Sequence, residues 1–107
     1  METFADLIKS EKPVLVDFYA DWCGPCKAME PIIKDVAKLV KEQFRVVKVD
    51  IDKQTQTARD YQINAVPTFI IFKQGKVMWR HSGMIDKSRL LSILGDKIED
   101  SAPGNTD

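Results

Sequence analysis

Hydrophobic positions along this chain follow two rhythms, and the change from one to the other marks the elements. Phe4, Leu7 and Ile8 stand at helical spacing behind Thr3, with Asp6 three positions after it. This predicts a short capped helix that Pro13 ends. Val14 to Tyr19 is an apolar run with one acid, Asp17, inside it, as in a strand buried on both faces. After a turn at Ala20 to Cys26, residues Met29, Ile32, Ile33, Val36, Leu39 and Val40 mark one helical face to about Gln43, with a kink expected at Pro31. Arg45 to Asp50 reads as a second strand, Gln54 to Tyr61 as a polar helix, and Thr68 to Lys73 as a third strand. Lys73-Gln74-Gly75-Lys76 is a tight turn, so Val77 to Ser82 returns as an antiparallel fourth strand carrying Val77, Trp79 and His81 in alternation. Gly83 closes it. Asp86 or Ser88 then caps a last helix with Leu90, Leu91, Leu94 and Ile98 facing inward.

The first two strands are joined through a helix and should run parallel. The fold class is therefore α/β, a mixed four-stranded sheet flanked by helices in a three-layer α/β/α sandwich. Residues 1–100 form the domain. Ser101 to Asp107 has no apolar anchor and reads as a disordered tail.

Composition narrows the function. The chain has 107 residues, enough for one domain, with 44% hydrophobic and 30% charged residues. Sixteen Lys and Arg balance sixteen Asp and Glu, without the basic excess of a nucleic-acid binder. Two cysteines and one histidine are too few for a four-ligand metal site within the chain or for a disulfide framework, so no metal and no cofactor are expected. The N-terminus has no secretory pattern, and the longest nearly apolar run, Val66 to Phe72, is far short of a membrane span. The simplest placement is cytoplasmic, with no membrane partner and a monomeric state.

Both cysteines fall in one turn. Cys23 and Cys26 are three positions apart where a strand passes into a helix, which lets their sulfurs meet on a first helical turn. A thiolate, not a thiol, attacks a disulfide, and an unperturbed thiol is only about 3% ionised at neutral pH. Unpaired N–H groups and the positive dipole end at a helix N-terminus favour the anion. Cys23, nearer that end, is the candidate nucleophile. Cys26 lies deeper and is the candidate resolving thiol. Gly24 and Pro25 stiffen the turn between them. Half of a zinc site, a metal shared between two chains and an inert structural disulfide are the lesser readings of the same pair.

The segment from Val16 through Trp22-Cys23-Gly24-Pro25-Cys26-Lys27 resembles the active-site segment of the thioredoxin family. Pro31, Lys48-Val49-Asp50, Val66-Pro67-Thr68, Phe72 to Gly75 and Gly83 match in order, so the resemblance covers about residues 4–98. The Gly-Pro dipeptide is similar to thioredoxins rather than to glutaredoxins or disulfide isomerases. The resemblance implies a thiol–disulfide oxidoreductase acting on disulfide-containing proteins and recharged by a flavin-containing thioredoxin reductase. A peptide-docking module, or an oxidant or isomerase on the same fold, is the alternative.

The resemblance also assigns roles. Asp17 assists proton transfer at Cys26, and Lys48 lies near that acid. Pro67 is a cis-proline that presents the Val66 backbone to a bound peptide. Trp22, Gly24, Pro25 and Gly83 complete the substrate surface, with Ala65 and Met84 on its rim. His81 reads as structural. Members of this family usually carry a strand before the first helix. Met1 to Lys12 accommodates the helix but no added strand, so a short form with four strands is expected.

Overall fold

A computed structural model describes residues 2–100. Ser101 to Asp107 and the tail expected there lie outside the described residues. The elements run α1 (Phe4–Leu7), β1 (Val14–Tyr19), α2 (Gly24–Val40), β2 (Arg45–Asp50), α3 (Thr55–Asp60), β3 (Thr68–Lys73), β4 (Lys76–Ser82) and α4 (Lys87–Asp100). The sheet order is β2-β1-β3-β4. β1 pairs parallel with β2 and antiparallel with β3, and β3 pairs antiparallel with β4. This is the expected four-stranded mixed sheet.

Alternation along β1 sends side chains to two cores. Val14, Val16 and Phe18 join Val49, Ile70, Phe72 and Ile8 on one face. There Phe4 packs its ring against Phe18, Tyr61 and Phe72, at centroid distances of 6.2, 5.5 and 5.7 Å. Leu15, Phe69 and Ile71 point the other way, against Met29, Ile33, Val36 and Val40 of α2 and Leu90 and Leu94 of α4. Asp17 falls in the same alternation as Leu15 and so faces α2. Lys48 is its register partner on β2.

α1 is a single turn. It is held by a reciprocal cap in which the Thr3 hydroxyl accepts from the Asp6 N–H (3.1 Å) and the Asp6 carboxylate from the Thr3 N–H (3.2 Å). α2 is continuous through Pro31 and ends at Val40, three residues before the expected limit. Leu39 does not belong to its buried stripe. It is 61% exposed, because one residue turns the helix about 100° away from Val40.

The β3–β4 turn is two residues long. Gln74 and Gly75 both have positive φ (51° and 83°), the geometry that matches the strand twist. In β4 the register shifts: Ile71 faces Trp79 while Phe72 faces Val77, so Met78 is bulged. This breaks the simple alternation expected of Val77, Trp79 and His81. Val77 is exposed, whereas Met78 and Trp79 both pack on the α2 side core. His81 stacks on Trp79 at 5.8 Å and sits 3.1 Å from the Met84 carbonyl through Nε2, a structural role. Asp86 caps α4, its Oδ1 accepting from the Arg89 N–H at 2.8 Å. No described helix is long and apolar enough to cross a membrane.

Candidate active site

β1 ends beneath the start of α2, and the turn between them carries both sulfurs. Cys23 is the N-cap of α2, with extended backbone, and its Sγ accepts from the Cys26 N–H at 3.1 Å. The sulfur thus stands where a serine or aspartate oxygen stands in an ordinary cap. Pro25 sits in the first turn, where a missing N–H costs no hydrogen bond. Cys23 and Cys26 are bonded to each other, with Cα atoms 5.3 Å apart, and both are buried. The helix N-terminus stabilises negative charge on Cys23 as that bond opens.

A second loop faces the sulfurs. The Val66–Pro67 peptide is cis, as the sequence resemblance implied. The Val66 carbonyl oxygen lies 3.6 Å from Cys23 Sγ. The Thr68 hydroxyl donates to the Ala65 carbonyl (2.7 Å) and lies 3.0 Å from Ser82 Oγ. The Gly83 N–H donates to the Pro67 carbonyl at 2.8 Å. Gly83 has φ +96°, a backbone that side-chain-bearing residues resist.

Thr68 is fully buried, and its role as the tie of this loop was not read from its place in the motif. Thr68→Val keeps the shape and removes the hydroxyl. It is expected to cost about 0.5–1.5 kcal/mol, measured by urea unfolding, because the hydrogen bond to the Ala65 carbonyl is lost.

Trp22 is 69% exposed beside the turn, so it belongs to the surface rather than to the core. Its indole N–H donates to Asp52 Oδ2 at 2.9 Å, and the Asp52 N–H donates to Asp50 Oδ1 at 2.8 Å. Asp52 is a site residue that the sequence reading missed. Its only local signal is the Asp-x-Asp turn after β2, and its partner is thirty positions away.

Asp17 is buried, with Oδ1 lacking a hydrogen-bond partner among the described residues. Burial raises its pKa from 3.8 to about 6, the nearby Lys48 charge opposes the rise, and Glu30 adds to it. Lys48 Nζ is 3.8 Å from Glu30 Oε1 and 4.4 Å from the Tyr19 ring centroid. Glu30 and Tyr19 were not singled out in the sequence, because their meeting with Lys48 depends on how α2 packs across the sheet. Cys26 opens on a cleft also lined by Tyr19, Ala20, Asp21, Lys27, Glu30 and Lys48. Asp17 opens on a neighbouring cleft lined by Glu30, Ile33, Lys34, Ala37, Val46 and Lys48.

The raised Asp17 has a thermodynamic signature. The folded protein holds this proton more tightly than the unfolded chain does. Its contribution to stability is therefore full below about pH 4 and is lost as pH rises through about 6. At 1.36 kcal/mol per pH unit the loss is about 3 kcal/mol. Glu2, Asp6 and Asp86 are held below the usual carboxylate range by their hydrogen bonds and pull the opposite way. The quantity to measure is thus the difference between wild type and Asp17→Asn. In urea titrations the variant is expected to gain on wild type between pH 4 and pH 7. A constant difference would contradict the assignment.

Comparison with known proteins agrees with this geometry. A family model described as Thioredoxin matches residues 1–96. The chain is 48% identical over 98 residues to the chloroplastic thioredoxin Y of Oryza sativa subsp. japonica, covering 91% of this chain and 58% of that one. The chain thus spans less than two thirds of the length of that plant relative. It is 46% identical over 92 residues to a thioredoxin-like protein of Synechocystis sp., covering 85% of this chain and 88% of the relative. A bifunctional thioredoxin reductase/thioredoxin of Mycobacterium leprae is 42% identical over 95 residues, 89% of this chain and 21% of that protein. The family pattern runs through the same segment that brings Cys23, Cys26 and the cis Pro67 loop together, and the chain belongs to the thioredoxin family.

Proposed function

We propose that this protein is a thiol–disulfide oxidoreductase that reduces disulfides in other proteins. The observation that carries the reading is the bonded Cys23–Cys26 pair at the start of α2, facing the Val66 carbonyl. In the reduced state Cys23 thiolate attacks a substrate sulfur. The substrate S–S bond breaks, one substrate thiolate leaves and takes a proton, and a mixed disulfide forms on Cys23. Cys26 then gives its proton to Asp17 and attacks Cys23 Sγ. The Cys23–Cys26 bond forms, and the electron pair of the broken mixed disulfide leaves on the second substrate sulfur.

Asp17 suits its role because its proton affinity is near neutrality, where a carboxyl can both take and give a proton. Lys48 tempers that affinity through its charge. The substrate lies across Trp22, Gly24 and Pro25 on one side and Val66, Pro67 and Gly83 on the other. The exposed Trp22 and Met84 supply the apolar rim. A peptide in this groove is held by backbone hydrogen bonds at Val66, a mode that tolerates many sequences.

Oxidised protein must be recharged with two electrons. We assign that step to a flavin-containing thioredoxin reductase, a reading that the name of the M. leprae relative supports. We read the protein as a monomer working where thiols are held reduced, with the cytoplasm as the simplest such place. Wild-type protein at micromolar concentration is expected to accelerate insulin reduction by dithiothreitol. Absence of acceleration overturns the reading in favour of a peptide-docking module.

A further inference from the structure

We propose that Glu30 is a positioning residue for the resolving step: it anchors the Lys48 ammonium between the Cys26 cleft and the Asp17 cleft, and so keeps it from pairing with the buried acid. The inference rests on the thiol–disulfide reading above and deepens it.

The placement follows from two periodicities. On α2, Glu30 is four residues beyond Cys26, one turn along the same face, and Ile33 and Lys34 follow one turn further on. On β2, Lys48 lies directly across from Asp17 in the parallel register. Two different elements thus deliver Glu30 and Lys48 to the wall shared by both clefts. Register alone would favour a Lys48–Asp17 ion pair. Among the described residues the ion pair of Lys48 is instead with Glu30, at 3.8 Å, and its ammonium also lies over the Tyr19 ring. Asp17 Oδ1 is left without a partner.

A carboxyl tightly paired with a lysine is a poor base, because the pair stabilises the charged form and lowers its affinity for a proton. Cys26 needs a base strong enough to take a thiol proton. Drawing Lys48 outward preserves that strength in Asp17. The charged groups around Asp17 are Lys48 from β2 and Glu30 and Lys34 from α2, with Lys27 and Asp21 in the outer cleft. The β3 neighbour of Asp17 is the apolar Phe69.

The test titrates the Asp17 carboxyl by NMR in the oxidised protein and measures the pH profile of mixed-disulfide resolution in single turnovers. Glu30→Gln is expected to lower the Asp17 midpoint, and the rising limb of the profile with it, by about half a pH unit, the scale of a partly exposed charge pair. Glu30→Asp restores most of the shift. In a Lys48→Met background Glu30→Gln moves the midpoint less than half as far. An unmoved midpoint overturns the proposal. So does an equal shift in both backgrounds, which would make Glu30 a bystander charge. The Glu30 side chain is 44% exposed, so these variants do not threaten the core. If wild type failed to reduce insulin, the oxidoreductase reading would fall, while the carboxyl titration would still decide what Glu30 does to Lys48.

Discussion

Cys23→Ser is expected to abolish insulin reduction, and Cys26→Ser to leave a protein that captures substrate without releasing it. The two variants separate because the two sulfurs stand in different places. Cys23 Sγ is the cap of α2 and lies 3.6 Å from the Val66 carbonyl, on the side proposed above for the substrate. Cys26 is one turn inside and opens on the cleft with Lys48 and Glu30. A serine at position 23 has no ionised nucleophile at neutral pH, so the loss should exceed about a thousandfold and reach the background of dithiothreitol alone. A serine at position 26 leaves the attack intact and removes the exit. The product is a covalent adduct, seen as a mass increase that reductant reverses. If Cys23→Ser trapped substrate and Cys26→Ser did not, the roles would be reversed.

The other large effect is on stability. Phe72→Ala is expected to cost about 3–5 kcal/mol, the range for deleting a buried aromatic ring. Phe72 is fully buried on the central antiparallel strand. Its ring meets Phe4 at 5.7 Å and Tyr61 at 5.2 Å, both edge-on. It therefore joins α1 and the end of α3 to the sheet, and neither is a helix that would stand alone at four and six residues. A domain of this size has about 5–15 kcal/mol in total. The melting temperature should fall by roughly 15–30 °C, read by circular dichroism. A fall of only a few degrees would show that the aromatic cluster collapses without leaving a void.

Much of this was legible in the chain. β1 and β3 are short, largely apolar runs, and all four strands appear within one residue of the bounds the sequence predicts. The Gln74-Gly75 turn was legible from Gly75 and the shortness of the connection between two strands, whereas the positive φ of Gln74 has no mark in the sequence. The turn with both cysteines was legible because local spacing alone brings the sulfurs together. What escaped depends on packing. Leu39 fits a helical count yet points outward, since the buried stripe is set by where α2 meets the sheet. The bulge at Met78 leaves no mark in composition. Asp52, Glu30 and Tyr19 are polar residues whose partners lie on other elements. Asp17 lay between these cases: an acid inside an apolar run signals burial, but only the fold shows its oxygen without a donor.

β1 is one of the two inner strands, bonded on both sides and buried along nearly its whole length. It carries Asp17 and leads directly into the redox turn. Local opening begins at frayed ends and thinly packed segments, and a central strand opens only when the whole domain does. Opening β1 to reach Asp17 would therefore cost a large share of the stability of the domain. The carboxyl instead opens on the side-chain cleft that Glu30 and Lys48 line, so on the proposed mechanism its proton is exchanged there, at a fixed place in the fold.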